Sequence, residues 1–190
     1  MTGPDPAVGW DAVVLAGGRA RRMGREDKLL LDVGGRSLLS RAVEAVAGAG
    51  RIVVVGPRRA LDSDVDVVWC REQPEGSGPA AALRTGLDRV SADFVVVVAG
   101  DQPFVDSTTL ARLVDGVHDD GAVAVDSGLQ PQWLCSAWRT SALRTAALAP
   151  NESLRVALGA LRWRPVQVDE RATVDCDTPE DLRRARELAQ

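Results

Sequence analysis

The chain has 190 residues, 45 per cent of them hydrophobic, and a formal net charge of −4. That length supports one domain with a proper core, and the apolar content argues against disorder. The absence of a global basic field excludes general nucleic-acid affinity, and no run of about 18 apolar residues is present to span a membrane.

Residues 1–9, with Gly3, Pro4, Pro6 and Gly9, read as a flexible tail without the basic and apolar regions of a secretory signal. Residues 10–190 read as a single domain. Asp11 to Ala16 is predicted as the first strand, stopped by Gly17-Gly18. Arg19, Arg21, Arg22 and Arg25 follow, then Gly24 and Asp27-Lys28. Glycines expose backbone N–H groups to a ligand, and cationic side chains supply further donors, so the stretch reads as a phosphate cradle. Lys28 is the one lysine among 23 Lys plus Arg. A lone lysine in an arginine-biased chain points to a use for its compact charge.

Leu29 to Val33 is a short apolar piece ending at Gly34-Gly35. Ser37 suits the N-cap of a helix whose apolar stripe is Leu38, Leu39, Ala42, Val43, Val46 and Ala47. Arg51 to Val55 is a strand buried on both faces, and Val65 to Trp69 is a third. The loop Glu72 to Gly78 opens onto a helix with Pro79 in its first turn. Asp93 to Ala99 holds four consecutive valines and reads as a central strand. Its carboxyl end carries Asp101, well placed to hold a metal ion on phosphates.

Ser107 is expected to cap a helix reaching Val117. Val123 to Val125, Trp133 to Trp138 and Val166 to Val168 read as strands, and 140–148 and 153–161 as helices. Thr178, Pro179 and Asp181 form the capping pattern of a last helix. Alternating strands and helices make this an α/β protein with a mainly parallel sheet. His118, the only histidine, sits in a polar stretch and reads as a surface residue. The three cysteines are widely spaced and read as reduced thiols of a cytoplasmic protein.

Leu15-Ala16-Gly17-Gly18, Arg22-Met23-Gly24 and Asp27-Lys28 together resemble the signature of the MobA-like nucleotidyltransferases. Gly78-Pro79-Ala80-Ala81, Gly100-Asp101-Gln102-Pro103 and Asp177-Thr178-Pro179-Glu180-Asp181-Leu182 are similar to that family's later motifs. The resemblance implies a Rossmann-like nucleotidyltransferase fold, a three-layer α/β/α arrangement. It implies transfer of GMP from GTP to the terminal phosphate of Mo-molybdopterin, with Mg2+ as cofactor. Leu15, Ala16, Gly17, Gly18, Lys28, Glu72, Gly78 and Asp101 would bind nucleotide. Arg22, Lys28 and Asp101 would be catalytic, and Asp101 and Asp175 would hold the metal. The implied partners are GTP, the molybdopterin-type cofactor, and molybdoenzymes or other cofactor-biosynthesis proteins, with no nucleic acid and no membrane.

Two departures stand out. Gln73 follows Glu72 where the family often has Asp, and Asp175 and Asp177 stand where it commonly has two asparagines. A contact after the second strand would fall near Arg58. Acceptor contacts are expected around Gln130-Pro131-Gln132 and Arg155, with Trp133 and Trp138 taken as core. A cytidylyltransferase on the same cofactor, a sugar-1-phosphate nucleotidyltransferase and a non-catalytic nucleotide or cofactor carrier remain alternatives.

Overall fold

Four consecutive valines lie in β6 (Phe94–Ala99), the middle strand of a seven-stranded sheet and buried along its whole length. The structure, a computed structural model, describes residues 9–17 and 27–190. β1 (Trp10–Leu15) lies between β6 and β4 (Ile52–Val55), parallel to both, and β5 (Val68–Cys70) extends the parallel run beyond β4. On the other side, β8 (Pro131–Arg139) runs antiparallel to β6 and to β7 (Gly121–Val125). β9 (Trp163–Gln167) closes that edge parallel to β7. The order is therefore β5-β4-β1-β6-β8-β7-β9, with β8 the one reversed strand, and the expected mainly parallel α/β/α fold is present.

Alternation along the strands builds two cores. Ala12, Val14, Ile52, Val54, Val96 and Val98 face α1 (Leu38–Ala45) and α3 (Ser107–Asp115). Val13, Leu15, Val53, Val55, Val95 and Val97 face α2 (Gly78–Leu87), α4 (Thr140–Thr145) and α5 (Leu154–Gly159). Burial on both faces is why these strands read as unbroken apolar runs. A third, smaller cluster joins α6 (Pro179–Leu188), through Leu182 and Ala185, to Val33 and Leu38.

Ser37 caps α1, accepting from the Ser40 N–H, and Thr178 with Asp181 forms the predicted capping box of α6. Other expectations need correction. Asp106, not Ser107, caps α3: its carboxylate accepts from the Thr109 N–H at 2.7 Å, and the helix ends at Asp115. Asp106 has the extended backbone of an N-cap, whereas Ser107 is already the first helical residue. α1 stops at Ala45, which leaves Ala47 exposed. The helices expected at 140–148 and 153–161 span only 140–145 and 154–159. The third strand is Val68–Cys70, a half-buried edge. Gly34-Gly35 is a hairpin turn between β2 (Asp32–Val33) and β3 (Arg36–Ser37); both glycines have positive φ, 64° and 84°, as a two-residue hairpin turn requires. His118 is half-buried rather than exposed. No helix among the described residues is long and apolar enough to cross a membrane.

From β1 the chain passes to β4 and β5 on one side and then returns to β6 on the other. The crevice between the carboxyl ends of β1 and β6 is thus the switch point at which open α/β sheets bind ligands. α2 reaches this crevice because it lies tight on the sheet. A Cβ on Gly86 would come within 2.7 Å of a Val13 methyl and 3.0 Å of a Val55 methyl. Gly86→Ala should lower stability by about 1–3 kcal/mol, even against the roughly 1 kcal/mol that alanine gains in a helix. A thermal midpoint equal to or above that of the parent would contradict this packing.

Candidate active site

A cleft of about 430 Å3 opens at the switch point. Leu15 and Gly17 bring the end of β1 to it, and Ala99 and Asp101 bring the end of β6. Glu72 and Gly76 come from the loop after β5, and Gly78 and Pro79 from the start of α2. Gly78 has a φ of 87°, and a Cβ there would meet the Asn151 backbone at 3.3 Å, so glycine is required where the loop turns into α2. Ser77 precedes α2 without donating or accepting a side-chain cap bond; its hydroxyl is used by the Pro74 carbonyl. Ala16 is buried on the opposite face of the sheet, and its N–H donates to the Val55 carbonyl at 2.8 Å. Gly18 and Arg22 lie outside the described residues.

Glu72 is buried, and one of its carboxylate oxygens accepts from the Gly76 N–H at 2.9 Å. The other oxygen has no hydrogen-bond partner among the described residues. A Cβ placed on Gly17 would lie 3.8 and 4.0 Å from the two oxygens, so the carboxylate faces the glycine across the cleft. An unsatisfied buried acceptor of this kind costs about 1–3 kcal/mol, which a ligand donor would recover.

Lys28 begins a short 3-10 turn, Lys28–Leu30, capped by Asp27, whose carboxylate accepts from the Leu29 N–H. The lysine is buried, and its Nζ lies 2.6 Å from Asp101 and 2.7 Å from Asp177. Burial pulls its pKa down, but the two carboxylates outweigh that and hold it above the ordinary lysine value. Asp177 did not figure among the expected site residues. The signal was present: it replaces an asparagine of the family pattern, and a carboxylate there can pair with a cation.

Asp175 accepts from the Gln102 amide at 3.1 Å, and the Cys176 N–H donates to the Asp101 carbonyl at 3.2 Å. These bonds stitch the segment before α6 to the end of β6. Crowding by protein atoms, and then the charge of Asp101, push the Asp175 carboxyl up to about 6. Two carboxylates thus pair with one ammonium, leaving a surplus of negative charge among the described residues.

That donor set fits Mg2+. The described residues hold no group of three or more His, Cys, Asp or Glu able to bind a metal. Mg2+, however, is commonly held by one or two carboxylates and completed by water and substrate phosphates. Asp101 and Asp175 offer hard oxygen ligands of that kind.

The profile of the MobA-like NTP transferase domain matches residues 12–166. The chain belongs to the MobA-like NTP transferase family. A molybdenum cofactor guanylyltransferase of Xanthomonas euvesicatoria pv. vesicatoria is 34% identical, over 92% of this chain and 93% of that one. Among solved structures, a nucleotidyl transferase of Methanothermobacter thermautotroptrophicus superposes with a TM-score of 0.77 at 26% identity, covering 95% of this chain and 97% of that one. Rv0371C of Mycobacterium tuberculosis H37Rv, in complex with manganese, gives a TM-score of 0.72 at 28% identity, covering 95% and 99%.

This MobA-like chain departs from several expectations at the rim. Arg58 is exposed, whereas its neighbour Arg59 turns inward and donates to the Ala16 carbonyl at 2.8 Å. Gln130 and Gln132 bond within the hairpin turn around Asp126, and Arg155 is exposed on α5. From this part of the chain the cleft receives Leu134 instead. Trp138 is fully buried, and Trp133 packs edge-on against Trp163, so both are structural. Cys70, Cys135 and Cys176 are free.

A carboxyl whose folded-state pKa is raised favours its neutral form. The stability it supports is complete below the unfolded value near 3.9 and falls as pH rises through about 6. In EDTA, Asp175→Asn should therefore raise the thermal midpoint more at pH 7.5 than at pH 5. The residue is open to water on one side, so screening keeps the gain on the order of 1 kcal/mol. A gain equal at both pH values would show that Asp175 is not crowded in this way.

Proposed function

We propose that this chain is a molybdenum cofactor guanylyltransferase. It transfers GMP from GTP to the terminal phosphate of a molybdopterin-type cofactor and releases pyrophosphate. The observation that carries the reading is one cleft lined both by Glu72, with a buried oxygen that has no partner among the described residues, and by Asp101, whose carboxylate pairs with the Lys28 ammonium. Glu72 suits a base edge and the ammonium suits phosphates. The similarity to the Xanthomonas guanylyltransferase supports the same donor and acceptor.

The acceptor phosphate is already ionised near neutral pH, so the attacking oxygen needs no general base. It attacks the α-phosphorus in line, and the bond to the bridging oxygen of pyrophosphate breaks. The chain's task is positioning and charge stabilisation. Gly17 presents backbone to the nucleotide beside Leu15 and Ala16, with Gly18 a further nucleotide-binding residue, and the start of α2 at Gly78 meets it from the opposite wall. Glu72, which can only accept, takes the paired N–H donors of guanine. Cytosine places a ring acceptor beside its amine and would be repelled there. Lys28 stays protonated and, with Arg22, offsets charge on the departing pyrophosphate. Mg2+ would be held by Asp101 and Asp175, and when bound it neutralises phosphate oxygens and aligns the α-phosphate. Residues 10–190 act as a single domain in the cytoplasm, without nucleic acid or membrane, and pass the product to molybdoenzymes or other cofactor-biosynthesis proteins.

Pyrophosphate release with GTP or CTP, with and without the molybdopterin-type cofactor, tests the reading. The parent should need the cofactor and prefer GTP. Lys28→Ala should lower turnover about 100-fold or more, the scale of losing one charge-stabilising donor. Asp101→Asn should demand more Mg2+ for half-maximal rate. Glu72→Gln turns an acceptor into a donor and should cut the GTP-over-CTP preference by about tenfold or more. Equal use of both nucleotides by the parent would defeat the guanine assignment, and parent-like turnover of Lys28→Ala would remove the lysine from the site.

A further inference from the structure

Arg59 holds both ends of the glycine- and arginine-rich stretch. Its Nη1 donates to the Ala16 carbonyl at 2.8 Å and to the Pro57 carbonyl at 3.2 Å. Its Nε donates to the Asp27 carboxylate at 2.7 Å. Ala16 ends the run before the stretch, and Asp27 immediately precedes Lys28. The guanidinium is no ordinary surface charge, since the Arg59 side chain is only 8% exposed while its partner Asp27 is 39% exposed.

Close backbone packing makes this reach possible. A Cβ on Gly56 would stand 2.4 Å from the Ala16 carbonyl oxygen and 2.9 Å from the Gly17 nitrogen. Glycine alone lets the turn after β4 press against the end of β1, and the turn then delivers Arg59. At the other end, one Asp27 oxygen takes the Arg59 Nε while the other caps the turn that begins with Lys28. The contacts therefore run from Arg59 to Asp27, from Asp27 to the turn, and from Lys28 to Asp101 and Asp177.

We propose that Arg59 is a positioning residue: by holding Ala16 and Asp27 together it sets the spacing of the two ends of the glycine- and arginine-rich stretch and, through Asp27, the place of Lys28. Two of its donor nitrogens are committed to protein acceptors in different directions. A planar fork offers these donors from two nitrogens held apart in a fixed geometry, whereas an ammonium offers all of its donors from one atom on a flexible stem. The inference rests on the guanylyl-transfer reading for its catalytic consequence, but not for its structural one.

Lys28 is the only lysine, so protein labelled with [13Cε]lysine shows one lysine Cε resonance. In nucleotide-free protein, Arg59→Ala and the milder Arg59→Gln should move that resonance toward the position of a free lysine, at parent-like circular dichroism. Guanylyl transfer from GTP should fall about 10–100-fold, the usual consequence of a reacting group set slightly out of place. Arg59→Ala combined with Lys28→Ala should be no slower than Lys28→Ala alone, because Arg59 acts through the lysine. A resonance that stays at the parent position in both Arg59 variants, or losses that multiply in the double variant, would overturn the proposal. If Arg59→Ala does not fold, Arg59→Gln carries the test. If the parent does not turn over GTP, the donor assignment fails while the lysine resonance still decides the role of Arg59.

Discussion

One buried ammonium holds three distant parts of the chain together. Lys28 follows the first strand, Asp101 ends the middle strand, and Asp177 lies 149 residues from Lys28, just before the last helix. A buried ammonium is tolerated only when paired, and here the nearly buried Lys28 is compensated by Asp101 and by the more exposed Asp177. The segment before α6 therefore has to dock against the end of β6. The Gln102–Asp175 bond and the capping box of α6 fix the angle at which it does so.

The sheet explains why these groups meet where they do. With β1 flanked by β4 on one side and β6 on the other, the polypeptide parts at the carboxyl ends of β1 and β6 and leaves a crevice between them. Tight packing brings the walls close. Gly86 lets α2 lie on β1 and β4, and Gly78 lets the loop turn sharply into the helix. The result is a cleft whose walls carry two carboxylates in different states, Glu72 open to a donor and Asp101 paired with Lys28. Such a difference suits a ligand with hydrogen-bond donors at one end and phosphates and a divalent cation at the other.

Much of the fold was legible in the sequence because burial leaves a periodic trace. The valine run of β6, the Ile52–Val55 run, the Ser37 cap and the Thr178–Asp181 box are all local patterns with local causes. The errors came where neighbouring residues compete or where a tertiary contact ends an element. Asp106 and Ser107 are both competent caps, and only the backbone geometry selected the aspartate. The Gly34-Gly35 hairpin carried a turn signal, but its strands are two residues long and leave no period to read. Lys28, Glu72, Gly78 and Asp101 were singled out from glycine-rich loops, strand ends and the family resemblance. Arg59 was missed in favour of Arg58, because adjacent arginines on a turn look alike until the turn is folded.

The sequence by itself determined the α/β class, the buried middle strand, the family and the residue types of the site, since all of these depend on local pattern or motif. Only the tertiary structure decided which partners those residues have. That Lys28 is shared between Asp101 and Asp177, that one Glu72 oxygen has no partner among the described residues, and that Arg59 joins Ala16 to Asp27 follow from contacts between segments far apart in the chain. Pairing of buried charges is a property of three-dimensional proximity, and no periodicity along the chain encodes it.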